Sequence, residues 1–389
     1  MTWYEFFAGG GMARLGLGEQ WHCLFANDFS TKKAAAYRAA FGENGIAHEL
    51  RVEDVRELRV TDLPGVPDLV WASFPCQDLS LAGNGAGLDG HRSGMFSPFW
   101  ELVRELAVDG RKPQIVVLEN VVGAITSHGG RDFQNIICKM TSAGYSVGAV
   151  VIDAVLFVPQ SRPRLFVVAV DSAASIPKTC SVDEPNDLWH PANLVKAYED
   201  LPASLKRNWI WWTLPEPTAR VKSLASLIED VPTGIRWHEA FETKRLIGMM
   251  SPLNLRKVRQ AQALSEATGE RLVGTVYKRT RPVLVDGVTR KVQRAELRFD
   301  DISGCLRTPA GGSSRQIIFA VEGKSVRSRL LSTKEAARLM GVPEDYPIPA
   351  NYNDGYHLFG DGLVVPAVAW LDTHILQRIA KPTKAIGAA

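Results

Sequence analysis

Short apolar runs alternate with helix-like segments from residue 1 to about residue 170 of this chain. The apolar runs are residues 3–7, 23–26, 69–72, 115–118, 147–152 and 165–170, and helix-like segments lie at 31–41, 96–107 and 132–143. Strands that alternate with helices predict an α/β fold with a doubly wound, mostly parallel sheet. Three glycines, Gly9-Gly10-Gly11, follow the first run directly. Sheets of this class bind a polar part of a ligand at that point.

The composition is that of an ordinary soluble globular protein. Hydrophobic residues make up 46% of the 389 residues and charged residues 22%, and no apolar stretch is long enough to span a membrane. The first residues lack the basic start and cleavage site of a signal peptide, so we expect a cytoplasmic protein. The five cysteines form no CxxC pair and no metal-ligand spacing, so we expect a reducing compartment and no bound metal. The net charge of +3 alone does not indicate a nucleic-acid partner.

Residues 175–325 lack this strand–helix rhythm and contain Pro-rich and Trp-rich pieces, which predicts a second, smaller, irregular domain. Within it, residues 271–299 hold eight basic residues against two acidic ones, and their Val and Leu content indicates strands. A basic strand pair is a plausible phosphate-contacting surface, although a solvated edge hairpin kept monomeric by its charges explains the pattern equally well. The candidate contacts are Lys278, Arg279, Arg281, Arg290, Lys291, Arg294 and Arg298.

Regular patterning returns after residue 325. Ser332, with Glu335 three residues later, predicts the start of a helix over 334–340. The apolar spacing of residues 364–379 predicts a helical segment that packs back on the sheet. We therefore predict one domain from residues 1–174 and 345–389, a second domain over 175–325, and a hinge with the late helix at 326–344.

A candidate nucleophile follows one buried strand. Phe74-Pro75-Cys76-Gln77 places a thiol at a strand's carboxyl end, where open α/β sheets bind ligands. A packed structural cysteine is the alternative. The glycine-rich segment at 83–94 favours the functional interpretation, because such a segment can form a mobile lid.

Charged side chains stand at two further strand ends. Glu119 ends the run 115–118, at the sheet edge where Cys76 is expected, and there a buried carboxyl can donate a proton. Arg162 and Arg164 precede the run 165–170, and we expect them to point to opposite faces. We expect one to meet the substrate and the other to brace the site. The alternative interpretations are that Glu119 caps a helix and that the two arginines form salt bridges at the start of the strand.

In their order along the chain, these segments resemble the motifs of the DNA (cytosine-5) methyltransferases of bacterial or phage type. The resemblance covers roughly residues 3–170 and 325–375. It implies a Rossmann-like S-adenosylmethionine-dependent methyltransferase domain and a target recognition domain at 175–325. The matching segments are Phe6-Phe7-Ala8-Gly9-Gly10-Gly11, Asn27-Asp28, Asp54-Val55, Phe74-Pro75-Cys76-Gln77, Glu119-Asn120-Val121, Gln160-Ser161-Arg162-Pro163-Arg164, residues 329–343 and Gly360-Asp361-Gly362-Leu363-Val364.

The resemblance also implies roles. Cys76 would attack carbon 6 of a cytosine flipped out of the duplex, and Glu119 would hydrogen-bond the ring. Arg164 would bind the cytosine carbonyl oxygen, and Arg162 would support the nucleophile loop. Ser80 and Arg92 would contact DNA from the glycine-rich loop. The implied contacts of S-adenosylmethionine, which leaves as S-adenosylhomocysteine, are Phe7, Ala8, Gly9, Gly10, Gly11, Asp28, Phe29, Asp54, Val55, Pro75, Asp361, Gly362 and Val364.

The chain departs from the family pattern at a few positions. Glu5-Phe6 stands where Asp-Leu is commoner, and Met12 replaces a frequent glycine. Asp361 occupies a position where asparagine is usual, and a charge there would alter the field at the cofactor.

Three other functions compete with this one. A tRNA cytosine-5 methyltransferase has a similar build, but the long 175–325 region favours DNA. A dinucleotide-dependent oxidoreductase needs GxGxxG spacing, which Gly9-Gly10-Gly11 lacks. A catalytically dead DNA-binding module is disfavoured because Cys76, Glu119, Arg162 and Arg164 are all retained. For partners, we expect double-stranded DNA, no membrane, a monomer in the bacterial cytoplasm or nucleoid, and a possible cognate restriction endonuclease as a genetic partner.

Overall fold

A computed structural model describes residues 1–74, 93–285, 288–308 and 315–380, without the side chains of Ser93 and Val285. The chain packs as two compact units. The first contains Met1–Asp153, Pro163–Pro217 and the described residues from Val365 onward. The second contains Ala154–Arg162 and Thr218–Val364.

A nine-stranded sheet forms the centre of the first unit, in the order β3-β2-β1-β4-β5-β7-β6-β9-β8. Neighbouring strands from β3 to β5 are parallel, and β7 runs antiparallel to both β5 and β6. The predicted mostly parallel sheet is therefore confirmed. The strands are β1 (Thr2–Phe6), β2 (His22–Asp28), β3 (Leu50–Val52), β4 (Leu69–Ala72), β5 (Ile115–Val121), β6 (Tyr145–Asp153), β7 (Pro163–Asp171), β8 (Ser181–Val182) and β9 (Trp209–Trp212).

Helices cover the sheet because their apolar faces need burial. Phe99, Trp100 and Val103 of α3 and Phe133 and Ile137 of α4 enter the main hydrophobic core. The helices of this unit are α1 (Met12–Leu17), α2 (Thr31–Phe41), α3 (Phe96–Val108), α4 (Arg131–Ser142), α5 (Ala192–Glu199), α6 (Ala203–Lys206), α12 (Val365–Leu371) and α13 (Gln377–Ile379), with a π-helical turn at Asp372–Leu376.

The C-terminal segment is helical, as its apolar spacing predicts, and it returns to the start of the chain. Helix α12 packs on α1, and Trp21 Nε1 donates to Asp372 Oδ1 at 2.8 Å. Gln114 Nε2 donates to the carbonyl oxygen of Ile379 at 3.1 Å. These contacts fix the last described helices against the first unit.

Residues 175–217 extend the large sheet, although the sequence pattern groups them with the irregular region. Strand β9 pairs with β6 in parallel through Gly148. A side chain at Gly148 would place its Cβ 1.9 Å from the carbonyl oxygen of Ile210, so only glycine permits this approach. Trp212 Nε1 also donates to Val168 O at 3.0 Å. The assignment of the whole 175–325 segment to recognition stays a prediction.

A four-stranded antiparallel sheet, ordered β11-β10-β12-β13, organises the second unit. The region expected to be irregular therefore contains regular structure, including the predicted basic strand pair β10–β11. Its charged residues obscure the alternation that marks a strand. The elements are α7 (Leu224–Leu227), α8 (Ala240–Gly248), α9 (Pro252–Thr268), β10 (Leu272–Val285), β11 (Val288–Arg298), β12 (Ile317–Glu322), β13 (Ser325–Leu330), α10 (Thr333–Leu339) and α11 (Tyr352–Asp361).

The predicted capping box begins α10. Glu335 N donates to Ser332 Oγ at 3.1 Å, and Ser332 N donates to Glu335 Oε2 at 2.8 Å. The same carboxylate accepts from Arg329 Nη2 at 2.6 Å, and both side chains are fully buried. Since a buried charge is costly unless it is paired, Arg329 and Glu335 must be retained together. Among the helices that the structure describes, none is both long and apolar enough to cross a membrane.

Candidate active site

The strand that leads to the nucleophile motif lies at the centre of the large sheet. Strand β4 pairs with β1 on one side and β5 on the other. Phe74 follows it, and its carbonyl oxygen accepts from Asn120 Nδ2 at 3.3 Å. Pro75, Cys76, Ser80 and Arg92 lie outside the described residues, as does most of the predicted lid. The roles of these residues therefore remain predictions.

Glu119 and Arg164 meet at the end of β5. Arg164 Nε lies 3.1 Å from Glu119 Oε1, and both side chains are largely buried. The antiparallel pairing of β5 with β7, which sets Val121 opposite Arg164, brings the two together. Arg164 Nη1 also donates to the carbonyl oxygen of Pro163 at 3.0 Å. The two groups predicted to act on the substrate ring thus form one charged pair.

Arg162 points to a different environment from Arg164, although residues i and i+2 of a regular strand share a face. Arg162 lies just before β7, which begins at Pro163, so the alternation of that strand does not extend to it. It is 1% exposed. Its guanidinium donates to three carbonyl oxygens, those of Leu306 (2.8 Å), Gly360 (2.9 Å) and Gly362 (2.7 Å). Arg162 therefore joins the segment after β11 to the turn of the last predicted motif. Its predicted support of the nucleophile loop concerns residues outside the described part of the chain.

The glycine-rich turn after β1 has an unusual backbone. Phe7, Gly9 and Gly11 have φ values of 58°, 58° and 75°, in the left-handed region that favours glycine. Gly9 N donates to Asp28 Oδ2 at 2.8 Å, and Ala8 N donates to the carbonyl oxygen of Asn27 at 2.8 Å. Asp28 thus fixes the turn at the end of β2.

This arrangement fits the cofactor that the family pattern implies. A Cβ at Gly9 would meet nothing within 4 Å, so open space adjoins the turn. Phe29, next to Asp28, is 68% exposed and offers an aromatic ring to a planar heterocycle. Gly10 lies in the same turn. Asp54 caps the short helix that contains the buried Val55 and accepts from Arg56 N at 3.0 Å.

Glu5 was noted in the sequence only as a departure from the family pattern, yet it is buried beside this turn. Burial raises the pKa of its carboxyl to about 8, with Asp28 and Glu49 adding to the rise and Arg14 opposing it. Its Oε2 has no hydrogen-bond partner among the described residues. The signal available in the sequence was a glutamate within an otherwise apolar strand.

Comparisons with known proteins identify the family. The sequence model of the C-5 cytosine-specific DNA methylases matches residues 1–377. The chain belongs to this family. Type II methyltransferase M.BsuFI of Bacillus subtilis is 25% identical over 387 residues, which are 97% of this chain and 73% of that protein. Type II methyltransferase M.HhaI of Haemophilus parahaemolyticus is 23% identical over 96% of this chain and 94% of its own.

Solved structures show the same fold. The S. pombe Dnmt2 methyltransferase superposes with a TM-score of 0.56 at 15% identity, over 97% of this chain and 98% of its own. A DNA modification methyltransferase encoded in an E. coli prophage superposes with a TM-score of 0.54 at 13% identity, over 97% and 99%. The family match and the named relatives confirm the DNA cytosine-5 methyltransferase prediction. They give no support to the tRNA alternative.

The last predicted motif of this methylase lies in the second unit. The hydroxyl of Thr308 donates to the carboxylate of Asp361. Asp361 ends α11, and Gly362 accepts from the buried Arg162. Val364 is buried. Within the described part of the methylase, no cluster of three His, Cys, Asp or Glu side chains is arranged to hold a metal ion.

The seven cations predicted to contact DNA all lie on β10 and β11 of the methylase, but on two faces. Directly paired residues of antiparallel strands share a face, and successive residues alternate. The pairing therefore groups the five arginines on one face and the two lysines on the other. A second basic stretch, which was not among the predicted contacts, lies on α8 and α9, where residues 243–265 contain five cations and no acid.

Proposed function

We propose that this methylase transfers a methyl group to carbon 5 of a cytosine flipped out of duplex DNA. The Glu119–Arg164 pair carries the proposal, because it presents a carboxylate and a guanidinium beside the strand that precedes Cys76. The family and its type II relatives support DNA as the substrate.

Carbon 5 of cytosine is a poor nucleophile and must be activated. In the proposed reaction the Cys76 thiolate forms a bond to carbon 6, which moves the electron pair of the ring double bond toward carbon 5. S-adenosylmethionine supplies the methyl group that carbon 5 takes up. A base then removes the carbon 5 proton, the sulfur–carbon 6 bond breaks, and the double bond returns.

The remaining groups orient the ring and stabilise its charge. Glu119 accepts from the exocyclic amine and shares a proton with ring nitrogen 3, and Arg164 donates to the carbonyl oxygen. Because Arg164 holds Glu119 before the base arrives, the pair needs little rearrangement. Arg162 acts from a distance, by fixing the turn at Gly360–Gly362.

The cofactor contacts are proposed on the same basis. The turn at Phe7, Ala8, Gly9, Gly10 and Gly11 would bind the methionine part of S-adenosylmethionine. Asp28 and Phe29 would bind its ribose and adenine. Asp54 and Val55 would extend the adenine contact, with Pro75, Asp361, Gly362 and Val364 completing the set. The open space beside Gly9 and the exposed ring of Phe29 support this assignment.

The biological setting follows from the relatives. We propose a monomer that acts in the bacterial cytoplasm, with a cognate restriction endonuclease as genetic partner. The type II designation of its relatives supports this setting.

The test compares methyl transfer from labelled S-adenosylmethionine to duplex DNA and to tRNA. Transfer to DNA alone is expected, and bisulfite sequencing of a methylated random library then gives the target site. Cys76→Ser should abolish transfer. Cys138→Ser is the matched control, since Cys138 is a free, exposed thiol on α4. Full activity of Cys76→Ser, or equal loss in the control, would overturn the assignment of the nucleophile.

A further inference from the structure

The carboxyl of Glu5 is a buried titratable group to which the proposed reaction assigns no role. It lies on β1, just before the glycine-rich turn, and is 2% exposed. Its Oε2 has no hydrogen-bond partner among the residues that the structure describes. A buried polar atom without a partner costs free energy. An unpaired carboxyl oxygen beside a ligand-binding turn therefore points to a partner on the ligand.

The cation nearest in effect to Glu5 is Arg14 of α1, and other groups hold it. Its Nη1 donates to the hydroxyl of Tyr37 at 2.8 Å and to the carboxylate of Glu49. Its guanidinium also lies 4.5 Å from the ring centre of Phe41. Arg14 thus acts on Glu5 without a hydrogen bond to Oε2, and it lowers the pKa of that carboxyl less than burial raises it.

The other charged neighbours of Glu5 are acidic. Asp28, which ends β2, and Glu49, which precedes β3, both disfavour a negative charge on Glu5. Cys23 of β2 and Tyr37 of α2 also interact with it, and burial raises the pKa of both groups, so they are neutral at physiological pH. Helix α12, which packs on α1, has no ionisable side chain. Within the described part of the chain, three carboxyls therefore share one guanidinium.

This cluster adjoins the glycine-rich turn. Asp28 Oδ2 accepts from Gly9 N at 2.8 Å, so the turn and the cluster share a carboxylate. Open space lies beside Gly9, where a Cβ would meet nothing within 4 Å. Charges that are partly buried are screened much less than charges on the surface. The charge of a ligand in that space should therefore act on Glu5.

We propose that Glu5 distinguishes S-adenosylmethionine from S-adenosylhomocysteine by charge, losing its proton when the cofactor binds and regaining one when the product remains. The cofactor carries a sulfonium cation, which the product lacks. A nearby cation favours the ionised form of a carboxyl. The proton lost on binding goes to solvent, and the proton regained after methyl transfer comes from solvent. The inference deepens the proposed function and rests on its placement of the cofactor at this turn.

The size of the effect follows from reciprocal linkage between the proton and the cofactor. Burial raises the pKa of Glu5 to about 8 in the free protein. If the sulfonium favours the ionised form about tenfold, binding releases about half a proton at pH 7.5. The affinity for S-adenosylmethionine then rises about sixfold between pH 6.5 and pH 8.5. The product, without that cation, should show a smaller release and a smaller rise.

Titration calorimetry of the full chain at pH 7.5, in two buffers of different ionisation enthalpy, measures the protons released on binding. Wild type is compared with Glu5→Gln, which removes the titrating group. Glu19→Gln is the matched control, since it removes an exposed carboxyl from the same unit. The α-amino group of each ligand titrates near pH 8 and contributes alike in all three proteins.

Wild type and Glu19→Gln should release about half a proton more than Glu5→Gln when S-adenosylmethionine binds. Glu5→Gln should also lose the rise in affinity with pH. Glu5→Asp keeps a carboxyl and should restore the release. Equal proton release by wild type and Glu5→Gln, or equal release by wild type with the two ligands, would overturn the proposal.

The same measurements separate this inference from the proposed function. If wild type binds S-adenosylmethionine and methylates duplex DNA while Glu5→Gln keeps the full proton release, the discrimination by charge fails and the function stands. If wild type binds no S-adenosylmethionine, the proposed function fails as well.

Discussion

Glu5 is expected to make the stability of this methylase fall as pH rises. Its carboxyl is buried, and its pKa is raised from 4.5 to about 8. The folded state therefore keeps a proton that the unfolded chain releases above pH 4.5. The contribution of Glu5 to stability is complete below that pH and is lost as pH rises toward 8. Replacement by glutamine keeps the shape of the side chain and removes this dependence.

The size of the effect follows from the shift. Each pKa unit corresponds to about 1.4 kcal/mol. Keeping the Glu5 carboxyl protonated in the folded state therefore lowers the free energy of unfolding at pH 7 by about 3 kcal/mol. Glu5→Gln should therefore be more stable than wild type at pH 7 by up to that amount, and the gain should be largest at pH 8. At pH 4.5 the two proteins should be nearly equal.

Urea unfolding at several pH values between 4.5 and 8, followed by tryptophan fluorescence, measures this difference. Glu19→Gln serves as the control, because Glu19 is exposed on the same unit. It should follow the wild-type curve. If the free energies of unfolding of Glu5→Gln and wild type keep a constant difference across this range, Glu5 is charged in the folded state and the argument is refuted.

Three further predictions concern single side chains. Arg162→Met leaves three buried carbonyl oxygens without their donor. We therefore expect a loss of about 3 kcal/mol in stability and a raised KM for S-adenosylmethionine. Unchanged urea unfolding would contradict this. Burial lowers the pKa of His190 to about 4, so stability should fall as pH drops from 6.5 to 4, and His190→Asn should abolish that fall in acid unfolding. Glu119→Gln should lower kcat by at least about 100-fold while DNA binding persists, and unchanged turnover would remove its role.

The large sheet and the Glu119–Arg164 pair could be predicted because they depend on local patterns. Strand β4 and the first four residues of β5 (115–118) are fully buried, so each is a continuous apolar run in the sequence. Parallel strands then place their carboxyl ends at one edge. Glu119 could thus be assigned to the sheet edge where Cys76 is expected, without knowledge of any distance.

Other features depend on partners that are distant in sequence. Strand β9 joins the sheet because Gly148 has no side chain, which no pattern within 209–212 reveals. The three carbonyl oxygens that Arg162 binds lie more than 140 residues later in the chain. In the sequence, Glu5 is a conservative replacement of the aspartate that is commoner in the family. Only its burial in the fold raises the pKa of its carboxyl.

The contact between Trp21 and Asp372 has a consequence for synthesis. These residues are 351 positions apart, yet their hydrogen bond belongs to the same unit as the glycine-rich turn after β1. Closing so long a loop carries an entropic cost and slows folding. A nascent chain on the ribosome cannot form this bond until residue 372 has been made. The methylase should therefore gain this contact only after residue 372 has been made, which delays its first methylation of DNA by the time needed to close the loop.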